Sequence, residues 1–424
     1  MKSFLLCAAA LLGVAMQAIS PSVGVADVDL RIAVPAAKHH RAQFPMRVQV
    51  ELPKELAETG TAELIDEKGR AIIGQFTGPS LLDPVDKSDK DTVTRSLWFI
   101  VPALEAEQPL RLSGKITNDQ PTVDPAGSFT WKETPGEYIQ LSLGGLPVLR
   151  YMHQPLDEST PAQRELTYKV FHHLFDPTGQ TVLTKGAGSL YTHHRGLFYG
   201  FNKISYGDGK TADTWHCTND AHLSHEGVLA SEAGPVLGRQ RLSIAWHGPG
   251  KEVFAHEERE LTVYNVPGAR LVEFASRLRT DVGPIKLDGD PQHAGFQFRA
   301  SAEVAESTKE QTYYLRPDGR GQPGQFRNWP EHKEHVNLPW NGMSFVVGGQ
   351  RYTALYLDRP ENPKESRFSE RDYGRFGSYF AYDLTEDKPL DLNYQVWVQP
   401  GELTVEEAAD HAADFVARPN AEVH

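Results

Sequence analysis

The chain has 424 residues, a formal net charge of −13 and two cysteines. That acidic balance argues against nucleic acid and anionic membrane surfaces as partners, since both recruit basic patches. Cys7 falls in the N-terminal apolar run, which leaves Cys217 as a buried small hydrophobe and no internal disulfide to expect.

In chain order, Met1-Lys2, the apolar run Phe4 to Met16 and the small residues Gly24-Val25-Ala26 read as a secretory signal, residues 1–26, cleaved near Ala26. The run is shorter than the roughly 20 residues of a membrane helix, and no later segment is long and apolar enough to span. The mature protein is therefore expected to be exported, periplasmic or extracellular, with no membrane span.

Residues 27–133 read as a small Ig-like β-sandwich. The alternating run Arg47 to Leu52, the apolar run Ser96 to Val101 and the turn Asp66-Glu67-Lys68-Gly69 carry that expectation. His39-His40, between Lys38 and Arg41, reads as solvated surface. The stretch from Asn118 to Gly127 is a loop or linker by its Asn, Asp, Pro and Gly content.

Residues 134–424 form the larger domain. Period-two alternation recurs at Leu242–Trp246, Glu260–Tyr264, Leu271–Phe274, Gly295–Arg299, Ser344–Val347, Tyr352–Tyr356 and Leu392–Val398. Helical periodicity is convincing only at Thr404–Val416, where Glu406-Glu407 follows a capping threonine. The fold class is all-β: a large antiparallel sandwich with a C-terminal helix.

The richest motif is Tyr191-Thr192-His193-His194-Arg195-Gly196-Leu197-Phe198-Tyr199-Gly200. In an extended segment the two histidines would point to opposite faces, so serving one ligand requires a bend. More histidines follow at 216, 222, 225, 247, 256 and 293. Acid/base chemistry on a saccharide needs one group to donate and one to accept a proton, and imidazole does either near neutral pH. His193, His194, His225 and Glu258 are the catalytic candidates. Arg195, Arg299 and Arg371 would grip a carboxylate or vicinal hydroxyls, and Tyr199, Trp215 and Tyr373 would stack on a sugar, with His293 among the substrate-binding groups. Glycosidic cleavage by two carboxylates would draw on Glu257, Glu258, Asp288 or Asp290, which show no special spacing.

Two other readings stay open. A divalent metal would use His193, His216, His222 and His225, or calcium would use Asp288 and Asp290, though no HExxH motif is present and no cofactor is expected. A non-catalytic carbohydrate-binding or cell-surface module would use the same aromatic residues without turnover. In each case the partner is a carbohydrate or another small polar molecule.

From Tyr151 to Phe415 the chain resembles an exported β-sandwich family labelled PmoA-like. The marks are Phe175-Asp176-Pro177-Thr178-Gly179, Thr184, His193-His194-Arg195-Gly196, Trp215, His225, Arg359-Pro360-Glu361-Asn362-Pro363, Arg371-Asp372-Tyr373-Gly374 and the closing Leu392–Gly401 strand. The resemblance implies a broad sandwich similar to those of sugar mutarotases. It also implies a further histidine and a proline just before the paired histidines, where this chain has Tyr191-Thr192. The methane-oxygenase meaning of the label requires several membrane spans, which the sequence lacks.

Overall fold

The structure is a computed structural model that describes residues 27–36, 40–56, 60–84, 91–116, 124–290, 292–418 and 421–423. The expected signal segment and His39 lie outside the described residues. The strands follow the alternation of the sequence: Leu242–Trp246 falls within Leu237–His247, Leu271–Phe274 within Arg270–Arg279, and Leu392–Val398 within Leu390–Pro400.

The large sandwich has two principal antiparallel sheets. One has eight strands, running from Arg367–Arg371 through Arg375–Tyr379, Ala294–Arg299, Leu197–Phe201, Phe171–Leu174 and Leu146–Met152 to Tyr138–Leu143 and Phe129–Thr134. The other has nine, with Val253–Tyr264, Arg270–Arg279 and Leu390–Pro400 at its centre. A four-stranded sheet built on Lys203–Tyr206 and Ile285–Asp288 adds Ile204, Ile285 and Leu287 to the same core.

Strand parity decides what the eight-stranded sheet presents on each side. Leu197, Tyr199, Phe201, Phe296, Phe298 and Phe376 enter the shared core between the sheets. Their neighbours Phe198, Gln297, Arg299 and Arg375 therefore face outward, where Phe198 packs with Phe171 and Trp215 in a separate cluster. That outer face is the floor of the candidate site.

The N-terminal region forms one continuous seven-stranded sheet around its own apolar core, which includes Ile32, Met46, Val48, Leu64, Leu97 and Phe99. Its last strand is Glu422–Val423, which returns from the far end of the chain to pair with Val28–Val34. The seam with the large sandwich is closed by Trp98 packed with Tyr264 and Trp397 in one cluster. The Gln75 side-chain amide adds hydrogen bonds to the backbone of Val236 and Leu237 across it. A cavity of about 170 Å³ remains in the seam, lined by Arg47, Asp83, Glu260, Glu273 and Arg418 among others.

The C-terminal helix spans Val405–Val416 as the sequence predicts, and Ala408, Ala412 and Phe415 bury its inner face. Its Thr404 hydroxyl accepts from Glu407 N, while the Glu407 carboxylate accepts from Thr404 N, a reciprocal capping box. Thr404→Ala is expected to cost about 1 kcal/mol, read as a small fall in thermal midpoint. A second helix, Pro161–Thr167, is absent from the alternation pattern. Its signals are local, with Thr160 as N-cap and proline in the first turn.

Candidate functional site

Four loops converge over the outer face of the eight-stranded sheet. They carry Tyr191, His193 and His194; Asp213, Trp215 and His216; Asp290 and His293; and Arg371 and Tyr373. The first contains the bend that paired histidines require: His194 N donates to Tyr191 O at 2.9 Å, and Tyr191 has φ of 55°. The two rings consequently lie side by side, with centroids 4.2 Å apart. Gly196 closes the bend at φ of 48°, where any side chain would sit 2.0 Å from the carbonyl oxygen of His172.

Arg195 does not join this cluster. It is wholly buried, lies over the Tyr168 ring, and donates to Thr192 O, Leu166 O and Glu165 O. The last two are end carbonyls of the Pro161–Thr167 helix, so this guanidinium anchors the loop to a helix C-terminus.

Further rings reach His193 from two other loops. His193 touches His216 at 4.5 Å, and His216 touches His293 at 5.0 Å. Each of the latter two is held by an aspartate three residues earlier: His216 Nδ1 by Asp213 Oδ2 at 2.8 Å, and His293 Nδ1 by Asp290 Oδ1. Asp213 Oδ1 also accepts Trp215 N and His216 N, which fixes its turn, and Asp290 accepts the Asn202 amide at 2.8 Å. A carboxylate on Nδ1–H leaves Nε2 as the open acceptor of each ring. Both side chains remain over a quarter exposed, His216 at 28% and His293 at 29%.

Beneath the rim lie Trp215, His194, Arg299 and Arg375, all at 1% exposure or less. Tyr373 stacks nearly parallel on His194 at 5.9 Å and also meets the exposed Tyr191 at 4.9 Å. Arg371, half-buried, stands at the edge beside Phe326. A cavity of about 500 Å³ adjoins the cluster, and Asp213 and Asn202 form part of its wall.

Four other candidates sit elsewhere. Glu258 lies across the sandwich, on the outer face of the nine-stranded sheet, where it meets Arg279 at 3.3 Å. His225 belongs to a separate ring cluster, with its Nδ1 3.3 Å from Tyr151 Oη and its ring 4.8 Å from His153. Tyr199, expected on a sugar face, is a core residue packed against Trp246 at 5.2 Å. Asp288 binds the amide of Gly289 rather than joining Asp290. Among the described residues, no group of three or more His, Cys, Asp or Glu side chains is arranged to hold a metal ion.

Burial sets the protonation of the inner histidines. It pushes His193 down to about 2, helped by the charge of Lys169, and holds His194 well below the usual imidazole range, helped by Arg375. His293 is also lowered by burial, against the pull of Asp290. His172 and His173, on the strand below, are likewise held down by burial, His173 to about 4.

Unfolded imidazoles take up protons near pH 6.5, so the unfolded state binds more protons than the folded one below that point. Stability is full above pH 6.5 and is lost as pH falls towards 4 and below. With His172, His173, His193 and His194 titrating together the loss reaches about 5 kcal/mol per pH unit at most. The thermal midpoint is expected to fall by on the order of 10 °C between pH 7 and pH 5. A midpoint unchanged over that interval would contradict buried neutral imidazoles.

The sequence names His216 only as a metal ligand and Asp290 only as a glycosidic carboxylate or calcium ligand, and it does not single out Asp213 or Arg375. A signal was present, since Asp-x-x-His occurs at both 213–216 and 290–293.

Residues 138–413 match the model of a family described as "Family of unknown function (DUF6807)". The span is close to that of the expected PmoA-like resemblance, but the description gives no support to that name. No curated protein matches the chain. Among solved structures, an alpha-mannosidase from Enterococcus faecalis V583 aligns at 8% identity and TM-score 0.45, over 93% of this chain and 46% of its own. A GH36 alpha-galactosidase from Geobacillus stearothermophilus aligns at 9% identity and TM-score 0.32, over 70% of this chain and 42% of its own. This chain thus spans less than half the length of either, and at such similarity neither activity carries over. The family match takes in every residue of the histidine cluster and well over half of the sequence, and on that ground the chain belongs to DUF6807, a family of unknown function.

Proposed function

We propose that this is an exported carbohydrate-active enzyme performing acid/base chemistry on a saccharide at the outer face of the eight-stranded sheet. The observation that supports it is the pair of aspartate-held imidazoles, His216 and His293, with ring centroids 5.0 Å apart and each partly open to solvent. One Nε2 accepts a proton from a hydroxyl or an acidic C–H of the sugar. The other, once protonated, returns a proton to the leaving oxygen or to the opposite face of the same carbon. Asp213 and Asp290 each stabilise the imidazolium that forms beside them. His193 and His194, held neutral, supply hydrogen bonds and ring surface, and Tyr191 and Tyr373 offer faces on which a pyranose can rest. Cleavage, elimination and isomerisation all use this machinery.

The test is a screen of the purified protein against a panel of glycans, with and without chelator, beside His293→Gln and His194→Ala. Product formation that survives chelation and disappears in His293→Gln is expected. Loss on chelation would replace this mechanism with metal-dependent hydrolysis or lysis. Glycan binding without product, equal in all three proteins, would make the molecule a binding module.

A further inference from the structure

Arg195 and Arg270 donate to backbone carbonyls, but three other buried arginines meet carboxylates: Arg259 meets Glu257, Arg239 meets Glu232, and Arg316 meets Glu370. Those below the histidine cluster do not. Lys169, Lys185, Arg299 and Arg375 are all at 3% exposure or less. Lys169 donates to Trp215 O and His193 O, and Lys185 to the carbonyls of Gly186, Gly188, Tyr191 and His194. Arg299 donates to Ala300 O and Tyr373 O, and Arg375 to Gln297 Oε1 and Ser369 Oγ.

Arg299 and Arg375 are also direct cross-strand partners on one face of the sheet, a like-charge pairing that destabilises a ladder by itself. Arg299 Nε and Nη2, Arg375 Nε, Trp215 Nε1 and both His194 ring nitrogens have no protein partner. The carboxylates whose charge reaches Lys169, Lys185 and Arg299 are Asp213, already bound to His216, and Glu306, exposed and hydrogen-bonded to Ser189. Neither forms an ion pair with them. A chain of net charge −13 therefore keeps under one site a knot of cations with no ion-pair partner among the described residues, where burial costs several kcal/mol per charge unless an anion answers it.

We propose that the saccharide taken by this site carries an oxyanion, a uronate carboxylate or a sulfate ester, which docks at the rim between Arg371, His193 and Tyr373 above the Arg299–Arg375 pair. This rests on the acid/base reading for the word saccharide, and on the cation knot alone for the charge. Low dielectric between rim and floor lets the buried charges act on a group at the rim with little screening. A uronate there would also acidify the adjacent ring C–H, which suits proton abstraction by an aspartate-held imidazole.

Calorimetric titration with trigalacturonate, its methyl ester and a sulfated galactan trisaccharide tests the proposal. One acidic ligand is expected to bind at least about 10-fold more tightly than the uncharged ester, and to lose most of that preference between 50 mM and 500 mM salt. Whether the uronate or the sulfate prevails identifies the group. Arg371→Gln should lower the preference by about 10-fold, while Asp290→Asn should keep binding and lose turnover. Arg375→Met should abolish the preference; if that variant fails to fold, the Arg371 and salt arms still decide. Equal binding of acid and ester, or no binding of either acid, overturns the proposal. Turnover of a neutral glycan that depends on His293 would uphold the acid/base reading while rejecting the anion. Salt-sensitive binding through Arg371 without turnover of any glycan would do the reverse.

Discussion

Replacing His293 by glutamine is expected to lower kcat by about 10²- to 10⁴-fold while leaving KM nearly unchanged, the range that one positioned general acid or base supplies. Glutamine still reaches Asp290 with an amide N–H and keeps the ring's approximate volume, so the turn that Asn202 and Asp290 build should survive. What disappears is the titratable nitrogen. His216→Gln should fall in the same range, since Asp213 holds its ring in the same way. The double variant should fall little further than either single one, because an acid and a base that serve one reaction act as a unit. His194→Ala should behave differently: its ring is buried and neutral, so it should lose thermal stability more than kcat. Steady-state kinetics on the substrate from the glycan screen checks all four. A His293→Gln enzyme with unaltered kcat and raised KM would make this imidazole a binding group and remove the proposed mechanism.

A large stability effect is expected at Glu257. Its carboxylate is wholly buried, accepts both Nε and Nη2 of Arg259, and also takes hydrogen bonds from Trp246 Nε1 and Ser276 Oγ. Removing one member of a buried pair strands the other charge, at about 3–5 kcal/mol. Glu257→Leu should therefore lower the thermal midpoint by about 5 °C. Glu257→Leu combined with Arg259→Met should recover most of the loss, because a buried pair replaced as a whole by apolar groups is often neutral. Glu258→Gln, one residue away and facing solvent with Arg279, should change stability by less than about 1 kcal/mol. Thermal and denaturant unfolding of the four proteins decides this. A double variant as unstable as the single one would show that Glu257 acts through packing rather than charge.

This pair illustrates what the sequence discloses. Period two says that one of Glu257 and Glu258 faces inward, and it gives the seven strands of the large sandwich named from it. It does not say that the inward glutamate meets an arginine two residues on, nor that the site lies beyond the opposite sheet. Arg299 and Arg375 sit 76 positions apart and become neighbours only through the register of two strands. Arg195, inside the most conspicuous motif, turns to helix carbonyls contributed by residues 165 and 166. The Thr404 helix was legible because a capping box is local, and so in principle were the two Asp-x-x-His turns. The histidine cluster was legible in composition and hidden in membership, since its rings come from loops whose meeting depends on sheet topology.

The return of Glu422–Val423 to the first sheet governs how the molecule bears mechanical tension. Val423 lies across from Ile32 and Glu422 across from Ala33, in antiparallel sense, so the chain enters and leaves that ladder on the same side. Tension between Val28 and Val423 would then open these two rungs one after another, as a zipper opens, instead of shearing many at once. The first yielding occurs at that short strand, with the sandwich and its loops still unloaded.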